Sequence, residues 1–237
     1  MTAKTRYDYL SGERTQFLDE AEEAAELTLP YLITKDQYSK GMRHLPTPWQ
    51  SVGAKCAVTL AAKLMQSMLP VQTSFFKLQV DESQLGQEFG PQIKSELDLS
   101  FAKIERTILE AIAASNDRVV VHEALLHLVV AGNALIYMGK DGLKVYPLNR
   151  YVVERDGDGN VIEIITKETI AKKLIEDQLP EDVLKQYDTV VDGSDDNVEE
   201  CDIYTHIKRD NNRYVWHQEV HGTILEKSYG KAPVDIT

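Results

Sequence analysis

The chain has 237 residues, with 26 lysines and arginines against 38 aspartates and glutamates, so its formal net charge is −12. Hydrophobic residues make up 43% of it, which is ordinary for a folded globular protein and excludes a wholly disordered one. Tight binding of nucleic acid needs a concentrated basic surface that displaces counterions from phosphates. The acidic composition therefore argues against a protein whose main task is to bind nucleic acid.

Most of the negative charge lies in one segment. Residues 176–202 contain eleven acidic side chains and one lysine, a net charge of −10 in 27 residues. The other 210 residues carry 25 basic and 27 acidic side chains and are nearly neutral. The acidity therefore describes one local surface rather than the whole protein.

The N-terminal half of the sequence has the apolar spacing of helices. Residues 10–29 predict an acidic, alanine-rich surface helix that stops at Pro30, since proline cannot continue a helix without a clash. A second helix is predicted over residues 47–70, with Thr47 as the N-cap and Pro48 at the first helical position. Its wide apolar face predicts a largely buried core helix. The residues of that face are Val52, Cys56, Ala57, Leu60, Ala61, Leu64, Met65 and Met68.

Two more helices precede a change to β structure. Residues 91–115 repeat apolar side chains every three or four positions, and a further helix is predicted from Asn116 or Asp117 to Gly132. Two hairpins should follow, the first joining residues 134–138 to 143–147 and the second joining 151–155 to 161–166 across the turn DGDGN.

The last third of the chain predicts a second, smaller β unit. Short helices are expected at residues 167–176 and 180–187, followed by the acidic loop and by strands at 201–208, 214–220 and 223–229. The fold class is therefore α+β, with a helical N-terminal half, a β-hairpin meander and the second β unit. We expect a helical part over residues 1–132 and a β-rich part over 133–237.

No string of the sequence predicts a catalytic or metal site. His122 and His127 are five residues apart, about 140° around a helix, so they cannot share a zinc ion as histidines four apart do. His217 and His221 lie in a strand-like pattern that separates them by about 13 Å. The run that begins at Asp156 lacks the glycine and glutamate of a calcium loop and is interpreted as a hairpin turn. We expect no catalytic residue, cofactor or metal.

Four blocks of sequence are more specific than the composition. The first is TPWQSVGAKCAVTLAAKLMQSMLPVQTSFFKL at residues 47–78, and the second is HEALLHLVVAGNALIYM at 122–138. The third is YPLNRYVVERDGDGNVIEIITKETIA at 146–171. The fourth is CDIYTHIKRD at 201–210, followed by EVHG at 219–222. In this order the four blocks resemble the head-to-tail connector, or portal protein, of short-tailed podovirus phages, and the resemblance covers nearly the whole chain.

The resemblance implies a non-enzymatic subunit of a ring, usually a dodecamer, at the head–tail vertex of the virion. DNA is packaged and ejected through such a ring without sequence-specific binding, and the tail attaches to it. Implied partners are other copies of the chain, the major capsid and scaffolding proteins, terminase, a tail adaptor, internal core proteins and double-stranded DNA. The protein would be made in the bacterial host cytoplasm. By the same resemblance, the chain corresponds to the N-terminal wing and lacks the stem, clip and crown, so we expect a fragment of a longer protein.

A ring needs two complementary faces on each subunit. Opposite charge suggests one pair of interface segments, and the alternative is that both are solvated loops. The basic segment contains Lys35, Lys40, Arg43 and His44, and the acidic segment contains Asp192, Asp195, Asp196, Glu199 and Glu200. Two other functions stay open, a capsid or tail adaptor without a DNA channel and a metal-dependent hydrolase that uses the histidine pairs.

Overall fold

The computed structural model describes residues 1–34, 45–71, 73–79, 91–139, 142–171, 200–210 and 213–225. The chain divides into two compact units. One combines Met1–Glu20 with Tyr146–Thr237, and the other is Ala21–Val145. No helix within the described residues is long and apolar enough to cross a membrane.

The described elements are five helices followed by seven strands, which confirms the α+β class. The helices are α1 Ala3–Glu13, α2 Thr15–Leu27, α3 Val52–Met68, α4 Pro91–Ala114 and α5 Asp117–Ala131. The strands are β1 Leu135–Gly139, β2 Gly142–Tyr146, β3 Tyr151–Arg155, β4 Val161–Ala171, β5 Glu200–Asp210, β6 Arg213–Val220 and β7 Thr223–Ile224. A single 3₁₀ turn, Leu148–Arg150, precedes β3.

Strands β3 to β7 form one antiparallel sheet in sequence order. The sequence predicted a hairpin meander and a second small β unit, and the structure joins the second hairpin to that unit because β4 pairs directly with β5. The predicted helix at residues 167–176 was wrong where it is described, since residues 167–171 continue β4 and pair with Glu200–Tyr204 of β5. The predicted helix at 180–187 lies outside the described residues.

The N-terminal helix α1 covers one face of this sheet and was missed in the sequence. Thr2 is its N-cap, and the Thr2 hydroxyl accepts a hydrogen bond from the Thr5 amide at 3.2 Å. Ala3, Tyr7 and Leu10 are buried against the sheet, at the i, i+4, i+7 spacing of one helix face. The predicted helix over 10–29 is therefore two helices that meet at Arg14, and α2 ends at Leu27.

In the other unit, α3 packs on α5. Helix α3 begins at Val52, with Ser51 as its N-cap, rather than at Pro48. Only Ala57, Ala61 and Met65 are buried, so the prediction of a largely buried face was wrong. The buried side chains form a stripe one residue wide, because α5 is the element that covers α3 within the described residues. The remainder of the predicted face is exposed at Val52, Cys56, Leu60 and Met68, and half-buried at Leu64.

The predictions for α4, α5 and both hairpins were confirmed. Helix α5 ends at Gly132, whose φ of 72° is left-handed and whose N–H donates to the Leu128 carbonyl at 3.0 Å. Strands β1 and β2 form a separate two-stranded sheet. The run after β3 is a hairpin turn, as expected, because the Asp156 carboxylate accepts backbone hydrogen bonds from Asp158 at 3.0 Å and Asn160 at 2.7 Å.

Candidate functional site

The strand register gathers charged side chains on the sheet face that α1 covers. Alternate residues of a strand point to the same side, so every second row of paired residues lies on this face. One such row contains Glu154, Glu163 and Lys208, and the next row on this face contains Val152, Ile165, His206 and His217. The third row on this face contains Lys167, Tyr204 and Glu219. We call the cluster of Arg6, Glu154, Glu163, His206, His217 and Glu219 the docking network.

Arg6 connects α1 to two carboxylates of the network. Its guanidinium donates from Nε to Glu163 at 2.9 Å and from Nη2 to Glu154. Glu163 is buried, with 4% of its surface exposed, whereas Arg6 and Glu154 are partly exposed. Burial by itself would raise the pKa of Glu163, but the hydrogen bond from Arg6 and the neighbouring His206 outweigh it and hold that pKa below its usual value.

Two histidines lie side by side in the network. The rings of His206 and His217 have centroids 5.0 Å apart, at an interplanar angle of 57°. Nε2 of His206 contacts the Glu163 carboxylate, and Nε2 of His217 lies 4.0 Å from the Glu219 carboxylate. Burial, followed by the neighbouring His206, lowers the pKa of His217 and outweighs the opposing effect of Glu219.

Glu219 anchors the first turn of α1. Its carboxylate oxygens accept hydrogen bonds from the Ala3 amide at 3.0 and 2.9 Å. Ala3 is the first residue of the helix, so a buried carboxylate takes up one of the unpaired N–H groups at the positive end of the helix dipole. The network therefore binds α1 at two points. Glu219 binds its N-terminus, and one turn later Arg6 of the helix binds the sheet carboxylates.

An apolar cluster beside the network completes the contact. Val152, Ile165 and Tyr204 of the sheet pack against Ala3, Tyr7 and Leu10 of α1. The rings of Tyr7 and Tyr204 meet edge to face at 5.6 Å, and the Tyr7 hydroxyl donates to the Asn149 carbonyl at 2.8 Å. This geometry is suited to holding a helix in place.

The sequence-predicted interface residues fall mostly outside the described part of the chain. Glu200 is the exception, because its backbone is described: it begins β5 and pairs with Ala171. The residues outside it are Lys35, Lys40, Arg43, His44, Asp192, Asp195, Asp196 and Glu199. The pairing of the basic and acidic segments stays a prediction.

The histidines of the sequence analysis do not converge. His127 on α5 is buried, with 2% of its surface exposed, and His122 is half-buried. His217 faces His206, whereas His221 lies in the turn after β6 with a φ of 46°. Across the described ranges, no group of three or more histidine, cysteine, aspartate or glutamate side chains is placed to hold a metal ion.

The docking network was not predicted from the sequence. Its signal is a charged residue within an apolar run, such as Glu163 beside Ile164 and Ile165. That signal indicates a shared face only when the pairing of β4 with β5 is known, because the two strands are 28 residues apart in sequence.

Large apolar side chains are exposed on the other unit. On α3 they are Val52, Val58, Leu60 and Met68, and on α4 they are Leu99, Ile104 and Ile108. A shallow groove of about 490 Å³ lies between α3 and α5. Its lining includes apolar side chains together with Lys63, Arg118 and His122. Exposed apolar surface beside polar groups is typical of a protein that contacts others.

Comparison with known proteins places nearly the whole chain in one family. The family model described as bacteriophage head to tail connecting protein matches residues 1–229. The chain is 35% identical to the portal protein of Enterobacteria phage T3 and 34% identical to that of Escherichia phage T7, over 98% of this chain in each case. It is 27% identical to the portal protein of Pseudomonas phage phiKMV over 88% of this chain.

These matches extend over only part of each relative. The chain covers 44% of the T3 and T7 proteins and 40% of the phiKMV protein. Within that part the match runs through the helices, both hairpins and the strands β3 to β7, at an identity that shows common descent. The chain belongs to the family of bacteriophage head to tail connecting proteins.

Proposed function

We propose that the chain is a structural subunit of a phage portal, the ring through which DNA enters and leaves the head. The observation that carries this proposal is the match over 98% of the chain to portal proteins at 34 and 35% identity. We propose the head–tail vertex of the virion as its location and the bacterial cytoplasm as its place of synthesis. The covered part corresponds to the wing, with a helical portion over residues 1–132 and a β-rich portion over 133–237.

The role we propose is non-enzymatic. A portal acts by shape and by assembly, so its subunits need stable interfaces rather than an active site. The family membership supports this, and so does the character of the docking network, whose charged groups are engaged with one another to hold α1 on the sheet.

The partners we propose follow from the same family. They are further copies of the chain in a ring, usually a dodecamer, the major capsid and scaffolding proteins, terminase, a tail adaptor and internal core proteins. Double-stranded DNA passes through the ring without sequence-specific binding. The low basicity of the chain suits such a conduit, because each lysine or arginine that captured a phosphate would add counterion-release free energy and slow the movement of DNA.

Two features support contact between subunits. The exposed apolar side chains on α3 and α4 would be withdrawn from water in a ring.

We also propose that the basic segment at residues 35–44 faces the acidic segment at 192–200 of a neighbouring copy. Reversing the charge of Asp195 and Asp196 to lysine should weaken assembly most at low salt, and assembly that is unchanged at every salt concentration would exclude this pairing.

Immunoelectron microscopy tests the location. Antibodies raised against the chain should label purified particles of the phage that encodes it at one vertex, where head and tail meet. Particles made without the gene should contain no packaged DNA. Label spread over the capsid, or on the tail alone, would contradict the portal function. Vertex label on normal particles, together with packaged DNA in particles made without the gene, would favour an adaptor without a channel.

A further inference from the structure

We propose that the groove between α3 and α5 binds residues 174–190 of a neighbouring copy of the chain. We call these residues the acidic arm. The inference rests on the proposed function, because it needs neighbouring copies in a ring. It identifies one contact of that ring, in which the groove of one subunit holds the acidic arm of the next.

Two parallel rows of side chains line the groove on α3. Residues three and four apart share a helix face, so each row runs along the helix beside the other. The apolar row is Val58, Ala62 and Met65, and the polar row is Thr59, Lys63 and Gln66. Helix α5 contributes Arg118 and His122, which are four apart and therefore also share a face. Val58 is 42% exposed, so a bound segment would withdraw apolar surface from water.

The groove carries positive charge without a counterion. Its lining contains no acidic residue, and α3 has two lysines and no aspartate or glutamate. Across the described ranges, the side chains of Lys63, Arg118 and His122 have no hydrogen-bond or ion-pair partner. Asp117 precedes Arg118, but its carboxylate accepts a hydrogen bond from the Leu143 amide at 3.1 Å. The groove therefore suits a ligand that is both acidic and apolar.

The acidic arm has that composition. It lies outside the described residues, so the match is one of sequence. Its 17 residues include five acidic side chains and one lysine. Leu179, Val183 and Tyr187 recur every fourth residue, which is the spacing of one face of the helix predicted at 180–187. The arm thus combines an apolar stripe for the apolar row with carboxylates for Lys63 and Arg118.

The strands on either side of the arm show that it can reach another subunit. Strand β4 ends at Ala171 and β5 begins at Glu200, and these two residues are paired. The 28 residues between them leave and return at one end of the sheet, whereas a hairpin loop needs only about two to five. Half of such a segment can extend at most about 45–50 Å. That distance exceeds the diameter of a small domain, about 30 Å.

A head-to-tail ring needs two different surfaces on each subunit. The groove belongs to the unit Ala21–Val145, and the acidic arm belongs to the unit that contains Tyr146–Thr237. Each subunit can therefore bind one neighbour with its arm and receive the arm of the other neighbour in its groove. The contact repeats around a ring without modification.

Fluorescence anisotropy of a labelled synthetic peptide of residues 174–190 measures the contact. The protein is the full chain with the five acids of its own arm neutralised, so that its arm does not compete. These substitutions are Glu176→Gln, Asp177→Asn, Glu181→Gln, Asp182→Asn and Asp188→Asn. The peptide should bind this chain. Adding Lys63→Gln and Arg118→Gln should weaken binding by about tenfold, because two charge pairs are lost.

Controls separate the groove from charge in general. Lys103→Gln changes an exposed lysine on α4 outside the groove and should leave the affinity unchanged. A scrambled peptide of the same composition lacks the apolar stripe and should bind more weakly. The proposal is overturned if the peptide does not bind, if the groove substitutions leave its affinity unchanged, or if the scrambled peptide binds equally well. A short DNA duplex that binds through Lys63 and Arg118 more tightly than the peptide would also overturn it, by making DNA the ligand.

Disulfide cross-linking of the full chain tests whether the arm comes from a neighbour. Gln66→Cys in the groove and Val183→Cys in the arm are combined with Cys56→Ser, which removes the exposed native thiol, whereas Cys201 is buried. Oxidation should give a ladder of linked copies on a denaturing gel, and a chain with only one of the two new cysteines should give at most dimers. Absence of the ladder, or a bond within one copy, would overturn the proposal. Vertex labelling tests the portal function separately, so vertex label with negative peptide and cross-linking results would refute this contact alone.

Discussion

Replacement of Glu163 by glutamine should lower the free energy of unfolding of the sheet unit by about 2–3 kcal/mol. The carboxylate accepts hydrogen bonds from Arg6 Nε at 2.9 Å and contacts His206, and a hydrogen bond to a charged group contributes about 1.5–3 kcal/mol. Glutamine has the same size but keeps one acceptor oxygen and loses the charge. Arg6 retains Glu154, so the loss stays below the 3–5 kcal/mol of a fully orphaned buried ion.

Tryptophan fluorescence in urea measures this loss. The chain has two tryptophans. Trp216 is half-buried on β6, whereas Trp49 is fully exposed at 101% and should change little on unfolding. The midpoint for Glu163→Gln should move to lower urea with an unchanged slope. The matched control is Glu110→Gln, because Glu110 forms an exposed ion pair with Arg106 at 2.9 Å on α4 and should cost no more than about 0.5 kcal/mol.

The pH dependence gives a second check on the same residue. The folded pKa of Glu163 lies below its unfolded value, so its contribution is present above the unfolded value and disappears as the pH falls through the folded value. The difference between the unaltered chain and the glutamine variant should therefore shrink in acid. A difference below 0.5 kcal/mol at neutral pH, or one that grows as the pH falls, would refute the assignment of Glu163 as the ionised centre of the network.

Three further substitutions test the packing. Ile165→Ala removes a fully buried side chain beneath α1 and should cost about 2–5 kcal/mol in the Trp216 transition, whereas Ile108→Ala on the exposed side of α4 should leave that transition unchanged. Gly132→Ala places a side chain at a φ of 72° and should cost about 1 kcal/mol, whereas Gly12→Ala within α1, where space is open, should stabilise, as measured by circular dichroism at 222 nm. His127→Leu should raise the melting temperature, because Nδ1 of His127 is buried and has no hydrogen-bond partner among the described residues. Burial lowers the pKa of His127, so the gain should be larger at pH 5.5 than at pH 8, and an equal gain at both would contradict it.

Local signals in the sequence located most elements correctly. Helix α5 ends at Gly132, where the chain adopts the left-handed conformation that glycine allows without strain. The turn after β3 follows from Asp156, whose carboxylate binds the backbone within the turn. Both features depend on residues only a few positions apart, and the four blocks of resemblance likewise follow from the order of residues alone.

The errors arose where an element's environment decided the outcome. Helix α3 has a wide apolar face, but how much of it is buried depends on what packs on it, and α5 covers only the stripe at Ala57, Ala61 and Met65. Residues 167–171 alternate weakly, and it is the pairing of β4 with β5 that makes them a strand. Helix α1 has few apolar residues, and the sheet stabilises it through Arg6 and the Ala3 amide.

The sequence by itself determined the class of the fold, the family and the location of the acidic charge, because composition, periodicity and the order of the four blocks of resemblance are properties of the chain alone. Only the tertiary structure decided that α1 is docked on the sheet, that Glu163 is buried between Arg6 and His206, and that two histidines share one face. These contacts join residues up to 216 positions apart. These contacts are stabilised by burial of side chains and by attraction between opposite charges, and neither is present until the strands have paired.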